Sequence, residues 1–326
     1  MTASGVRHAT VVGGGVSGLT TAVVLVEAGL PVTVVTAERP EHTTSAAAGA
    51  LWGPYRVEPA DLVRAWSRQS LQSFELLASD PATGVRMAPG LEASRHTASP
   101  PEWADDLPNF GSCEPEALPP GFCSGWRFSA PLVDMPRYLH YLVDRLLTAG
   151  GQLVTRRVGS LEELMEPDSV VVNCSGIDAG QLAHDPSVTA IRGQLVVLEN
   201  PGLTEFFSEE TGDSPDLLHV YPHGDNVVIG GIAVPGNWSR AIDPLIADQI
   251  LQRCSQIVPD LQSVPVLEHR AGLRPTRPTV RVEREDRPEG TIVHNYGHGG
   301  AGVTLSWGCA NTVAKLIGVV AQTSHD

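Results

Sequence analysis

Two dense glycine clusters are the places in this 326-residue chain where residue types and spacing could do chemistry. The first, Gly13-x-Gly15-x-x-Gly18, follows an apolar run, Ala9 to Val12. It opens a helical pattern with Leu19, Ala22, Val23 and Val26 at i, i+3, i+4 and i+7. Glycines there permit a tight turn and close backbone approach to a pyrophosphate. The helix N-terminus, at Val16 and Ser17, offers unpaired N–H groups and partial positive charge. An acid about 20 residues further on is expected to bind ribose hydroxyls, and Glu38 stands there. The second cluster runs from His294 to Thr304, with Gly297, Gly299, Gly300 and Gly302. An apolar helical pattern follows it (Val313, Leu316, Ile317, Val320), without Walker A spacing and its lysine. Two glycine turns opening helices suggest one elongated cofactor touched at two places. One helix end suits a pyrophosphate; the other suits negative charge, which a reduced flavin carries along its N1–C2=O edge. The His294/His298 spacing imitates a helical metal pair, but the intervening glycines argue against a helix and no carboxylate or Cys completes a set. No metal is expected.

The elements that must hold these turns can be read around them. The first turn lies in a βαβ unit whose helix ends at Gly29, with Pro31 blocking continuation and a second strand from Pro31 to Val35. Thr43 to Tyr55 is dominated by small residues and hydroxyls, as backbone lying against a flat ligand would be. Ala60 to Leu77 and Met135 to Ala149 read as helices, the latter closed by Gly150-Gly151. Gln152 to Val158 reads as a strand, and Ser169 to Ser175 as a short buried one belonging beside the first βαβ in a parallel sheet. Ala82 to Gly125, rich in Pro and Gly, predicts loops and short strands. From Arg192 to Trp238 the period turns to two, with a hairpin signal at Gly224-Asp225-Asn226, predicting a mostly antiparallel sheet. Pro244 to Ile257 reads as a helix. Arg270 to Glu285, with Arg270, Arg274, Arg277, Arg281 and its prolines, reads as a stiff connector. The fold class is α/β: a Rossmann-type cofactor domain with a parallel sheet, plus an antiparallel-sheet substrate domain. The first domain is discontinuous, at 1–55, 135–180 and 268–326; the second takes 56–134 and 181–267.

Composition bounds the partners. A formal net charge of −15 argues against nucleic acid or an anionic membrane surface. Val11 to Leu30 contains five glycines and Glu27, which sets the Rossmann reading above a signal anchor, and no other segment is apolar enough to span a bilayer. The last residues, Thr323 to Asp326, are not a peroxisomal tripeptide. Five scattered cysteines without a CxxC pair predict reduced thiols and a cytoplasmic location. A homodimer stays open.

Several stretches together resemble the D-amino-acid oxidase family. They are Ala48-Gly49-Ala50-Leu51-Trp52-x-Pro54-Tyr55, Asn173-Cys174-Ser175-Gly176, Arg192-Gly193-Gln194, Gly230-Gly231-Ile232 with Gly236-Asn237-Trp238, Gly272-Leu273-Arg274-Pro275-x-Arg277-Pro278, and the signature IVHNYGHGGAGVTLSWGCA. They occur in the family's order across nearly the whole chain. The family includes D-aspartate oxidases, with glycine oxidases as more distant relatives. The resemblance implies noncovalent FAD, a D-amino acid and molecular oxygen as partners, and oxidative deamination to a 2-oxo acid, ammonia and hydrogen peroxide. It also implies roles for residues. Gly13, Gly15 and Gly18 hold the pyrophosphate, and Glu38 with Arg39 meets the adenosine end. Thr43, Thr44, Ser45, Gly49, Ala50 and Leu51 line the flavin side, with Ser175. Val158 gives a backbone contact to the adenine; Gly299, Gly300, Gly302, Val303 and Thr304 cover the pyrimidine edge. Arg274 matches the arginine that pairs the substrate carboxylate, and Gly300 joins it in the catalytic set. Where the family places a carboxylate-binding tyrosine this chain has His219, so His219, Tyr221 and Tyr55 are all candidates for the second donor. Direct hydride transfer to flavin N5 is the favoured mechanism, requiring orientation rather than a nucleophile. The stretch Ser208 to Leu218, expected at the pocket mouth, carries Glu209, Glu210, Asp213 and Asp216 and no Lys or Arg. That charge predicts neutral and basic D-amino acids as substrates and acidic ones as poor; D-aspartate or glycine oxidase is the alternative.

Overall fold

The structure is a computed structural model that describes residues 6–54, 57–209 and 217–319. Strand β1 (His8–Val12), helix α1 (Val16–Glu27) and strand β2 (Val32–Thr36) form the expected βαβ unit. They are followed by α2 (Ala60–Leu77), β3 (Val85–Ser94), β4 (Gly111–Ser112), β5 (Ser124–Val133), α3 (Met135–Thr148), β6 (Gln152–Thr155), β7 (Ser169–Asn173) and the short α4 (Ala179–Leu182). Then come β8 (Thr189–Glu199), β9 (Phe206–Glu209), β10 (His219–His223), β11 (Asn226–Gly230), β12 (Val234–Pro235) and α5 (Pro244–Ser255). The chain closes with β13 (Val266–Arg287), β14 (Gly290–His298) and α6 (Gly302–Ile317). Among the described residues the strands make one sheet in the order β4-β5-β3-β9-β10-β11-β8-β13-β14-β7-β1-β2-β6. The β14-β7-β1-β2-β6 end is parallel throughout; the other end is antiparallel apart from the β3–β9 pair. The α/β class holds, with one continuous sheet carrying both kinds of pairing.

Two expectations need correction. Arg270 to Glu285 is no connector but the middle of the longest strand, β13, paired to β8 on one side and β14 on the other. Pro278 is tolerated because pairing to β14 is interrupted between Thr276 and Arg281, so the N–H it lacks has no ladder partner to miss. The Ala82 to Gly125 region contains the ten-residue strand β3. Residues 90–94 are all buried, and Pro89-Gly90 in the middle of the strand reads locally as a turn, which hides it. The core around α1, α3, α6 and the parallel strands includes Leu19, Leu25, Tyr138, Leu142 and Val313. A second core, under α5, gathers Val196, Phe207, Val220 and Ile250.

Two buried histidines tie stability to pH. In β14, His298 donates from Nε2 to the Asn295 Oδ1 at 3.0 Å, and burial pushes its pKa down to about 4. Burial does the same to His219 in β10, also to about 4. Their unfolded pKa is about 6.5. Between those values the unfolded chain binds more protons than the folded one, so stability rises with pH and is lost as pH falls from 6.5 towards 4, by up to roughly 3 kcal/mol per histidine. The difference between denaturant midpoints at pH 7 and pH 5 should therefore shrink in His298→Gln; an unchanged difference would remove His298 from the account.

Candidate active site

One cavity of about 730 Å³ runs from the β1–α1 turn to β10. Gly13, Gly15, Val16 and Ser17 line its first end. The N-cap of helix α1, Gly15, brings no side chain of its own and the first turn holds no acid, so the helix N-terminal field opens into the cavity. The turn is fixed from outside: Gly14 N–H donates to the Thr36 hydroxyl and Val16 N–H to that of Ser45, each at 3.0 Å. Gly18 does not line the cavity. A Cβ there would lie 1.9 Å from the Gly13 carbonyl oxygen, so Gly18 serves the packing of helix against turn, and its expected contact with the pyrophosphate is withdrawn. Glu38 lines the cavity and accepts from Arg240 at 2.8 and 3.0 Å. Arg39 is also a correction: its side chain is 73% exposed, reaches Glu41 at 3.8 Å and lies outside the cavity.

Thr43, Thr44, Ser45, Gly49, Ala50 and Leu51 form the long wall, with Val158 and Ser175 near the first end. At the other side Gly299, Gly300, Gly302, Val303 and Thr304 line the cavity at the start of α6, which likewise has no capping side chain and no first-turn acid. Thr304 Oγ1 donates to the Gly53 carbonyl at 3.0 Å, pinning the small-residue wall to this helix. Two uncapped helix ends, facing one elongated space walled by small residues, fit a flavin dinucleotide, with the pyrophosphate at α1 and the flavin's electron-rich edge at α6.

Of the arginines in β13, Arg274 lines the cavity, while the others bond elsewhere. Arg270 pairs with Glu268, Arg277 with Asp185 and Arg281 with Glu283. Arg274 donates to the Ile232 carbonyl at 3.0 Å and lies flat over Gly193, where a Cβ would come within 3.0 Å of the guanidinium. His219 and Tyr221 also line the cavity and stack with centroids 4.3 Å apart. The expected donor role of His219 does not survive. Its Nδ1 hydrogen goes to the Leu217 carbonyl at 2.8 Å, and Nε2 is buried without a partner among the described residues. Burial holds the ring neutral; the Leu217 bond opposes this, and the nearby Arg274 and His223 charges reinforce it. Nε2 is therefore an acceptor, unsuited to a carboxylate. The Tyr221 hydroxyl shares a 3.2 Å hydrogen bond with Ser208. Tyr55 lies outside the described residues, as do Glu210, Asp213 and Asp216. Glu209 is buried in an ion pair with Arg95 at 2.7 Å, and its charge is spent there rather than at the mouth.

Sequence reasoning missed several lining residues, among them Arg156, Gln181, Trp103 and Glu92. Glu92 alone left a signal: an acid inside the apolar stretch Gly90-Leu91-Glu92-Ala93. The landmark Arg192-Gly193-Gln194 also gains a structural meaning. Arg192 donates to the carbonyls of Ser239 and Ala241, and Gln194 to that of Asp243, so the loop bearing Arg240 is fastened to β8.

Comparison with known proteins agrees with this geometry. The family described as FAD dependent oxidoreductase (DAO) matches residues 8–316. A D-amino-acid oxidase from Rubrobacter xylanophilus is 51% identical over 315 residues, covering 96% of each chain. One from Streptomyces coelicolor is 44% identical over 309 residues, covering 94% of this chain and 95% of that one. The fold matches that of glycine oxidase from Bacillus cereus with a TM-score of 0.78 at 19% identity, covering 95% of this chain and 94% of the other. With the cofactor-shaped cavity and nearly its whole length matched, the chain belongs to the DAO family of FAD-dependent oxidoreductases.

Proposed function

We propose that this chain is a D-amino-acid oxidase, converting a D-amino acid and oxygen to an imino acid and hydrogen peroxide; the imino acid hydrolyses to the 2-oxo acid and ammonia. The observation that carries this reading is Arg274, a guanidinium opening onto the same cavity as the two uncapped helix ends. The relatives named D-amino-acid oxidase support the choice of substrate. Bound FAD supplies the two-electron acceptor, receiving the α-hydrogen as hydride. The parallel end of the sheet, with 1–55, 135–180 and 268–326, is the cofactor part; 56–134 and 181–267 form the substrate part. The residues act by orientation. Arg274 holds the carboxylate bidentately, which fixes the face of the α-carbon presented. His219 Nε2 offers an acceptor to an N–H rather than a donor to the carboxylate. The α6 N-terminus, through Gly300 and Gly302, stabilises negative charge developing at the far edge. All five cysteines are free, which supports a cytoplasmic location.

The test of the reaction is colour. Purified protein should be yellow, bleach under anaerobic D-alanine and recover its colour in air, while L-alanine leaves it unchanged; colourless protein, or bleaching by L-alanine instead, would refute the assignment. The clamp has its own expectation. Arg274→Ala should lower kcat/KM for D-alanine by about 30- to 1000-fold, corresponding to roughly 2–4 kcal/mol, with FAD absorbance retained. Arg274→Lys should recover part of this, because a point charge lacks the fork. Gly193→Ala should push the guanidinium off its bed and shift kinetics in the same direction by less. Near-normal steady-state kinetics in Arg274→Ala would assign the anchor elsewhere.

A further inference from the structure

The cavity holds a cation that the reaction above gives no role. Arg240, in the loop between β12 and α5, lines the same space as Glu38, which stands two residues beyond β2. Arg240 Nη1 donates to both oxygens of the Glu38 carboxylate, at 2.8 and 3.0 Å, across 202 residues of sequence. Its Nη2 donates to the carbonyl of His42, which directly precedes the wall of Thr43, Thr44 and Ser45. The main chain behind Glu38 is tied in turn to the phosphate turn. The Thr36 hydroxyl donates to the Glu38 carbonyl at 2.7 Å and accepts from Gly14 N–H at 3.0 Å. One guanidinium from the loop after β12 therefore grips two points of the expected adenosine end.

A partly exposed ion pair by itself contributes little, and these side chains are 43% and 37% exposed. Two features set this one apart. The loop is fixed on both sides of Arg240. Buried Arg192 donates to the carbonyls of Ser239 and Ala241 at 3.0 and 2.6 Å, and buried Gln194 donates to that of Asp243 at 2.7 Å. The arginine thus arrives on main chain that is already ordered, which lowers the entropic cost of the contact. The second feature is charge. A bare carboxylate beside a dinucleotide would repel its two phosphates, and Arg240 offsets that repulsion. Each carboxylate oxygen has two lone pairs; Arg240 occupies one on each and leaves one on each for a ribose hydroxyl. We propose that Arg240 is a positioning residue for FAD, acting through Glu38: it fixes the direction of that carboxylate, cancels its charge and so slows loss of the cofactor. This rests on the placement of the adenosine at the β1–α1 end of the cavity.

Release of FAD from diluted holoenzyme, followed by the rise of flavin fluorescence, reads this contact. Arg240→Ala should lose FAD about three- to tenfold faster than wild type, a size in keeping with a partly exposed pair on an ordered loop. Arg240→Lys keeps the charge but not the fork that spans Glu38 and His42, so its rate should fall between the two. It also decides the matter if the alanine variant is purified without flavin. Glu38→Gln should itself speed release. Because Arg240 acts through Glu38, adding Arg240→Ala to Glu38→Gln should speed release further by no more than about twofold. Release from Arg240→Ala within about 1.5-fold of wild type overturns the proposal, as does a double variant whose acceleration equals the product of the two single ones. The measurement uses no substrate, so its failure is separate from that of the D-amino-acid oxidase reading. A wild-type protein that binds no FAD would sink the cofactor placement and this inference with it.

Discussion

Strand β13 is hydrogen-bonded along both edges, to β8 in the antiparallel half and to β14 in the parallel half, and this double pairing brings the two kinds of chemistry into one cavity. Arg274 falls where β13 is still in register with β8, opposite Ile191. Two residues on, Thr276 is in register with both Thr189 and His298. The carbonyl of Pro275 accepts from Gly299 N–H at 2.8 Å, fastening the glycine turn of α6 to the strand that carries the arginine. The guanidinium and the α6 helix end are thus placed relative to each other by main-chain bonds, independent of surface side chains. A carboxylate anchor and a field for developing negative charge must hold a fixed separation if orientation is the source of catalysis.

Much of this was legible because the cofactor part follows short-range rules. A glycine turn between strand and helix, a glycine closing the helix and an apolar second strand are all local, and β1, α1 and β2 lie where those signals put them. The substrate side depends on long-range pairing, and there local signals misled. The density of Arg and Pro in β13 hides a strand, because its partner β8 comes from a distant segment and its charges are answered by Asp185, Glu283 and Tyr296. Glu38 was found by spacing, but its partner Arg240, 202 residues away, was not, nor was the fastening of that loop through Arg192 and Gln194. Glu209 shows the opposite error: an acid counted along a segment carries little weight at a pocket once it is turned inward to an arginine, here Arg95.

The net charge of −15 says nothing of the field inside the cavity, where the sign is set by a few buried groups. Two helix ends and Arg274 make one region receptive to phosphate, carboxylate and reduced-flavin charge. A second full cation there would hold off the substrate's amino group, and His219 is the residue positioned to become one. Burial prevents it, keeping the ring neutral down to a pKa of about 4, while Leu217 takes the Nδ1 hydrogen and leaves a lone pair at Nε2. As the carbon–nitrogen bond of an amino acid gains double-bond character, positive charge develops at nitrogen. A neutral acceptor lowers the energy of that change, whereas an imidazolium would raise it. In the proposed reaction, a histidine where the resemblance places a tyrosine would therefore serve as amine acceptor rather than carboxylate donor, and would leave carboxylate recognition to the guanidinium of Arg274.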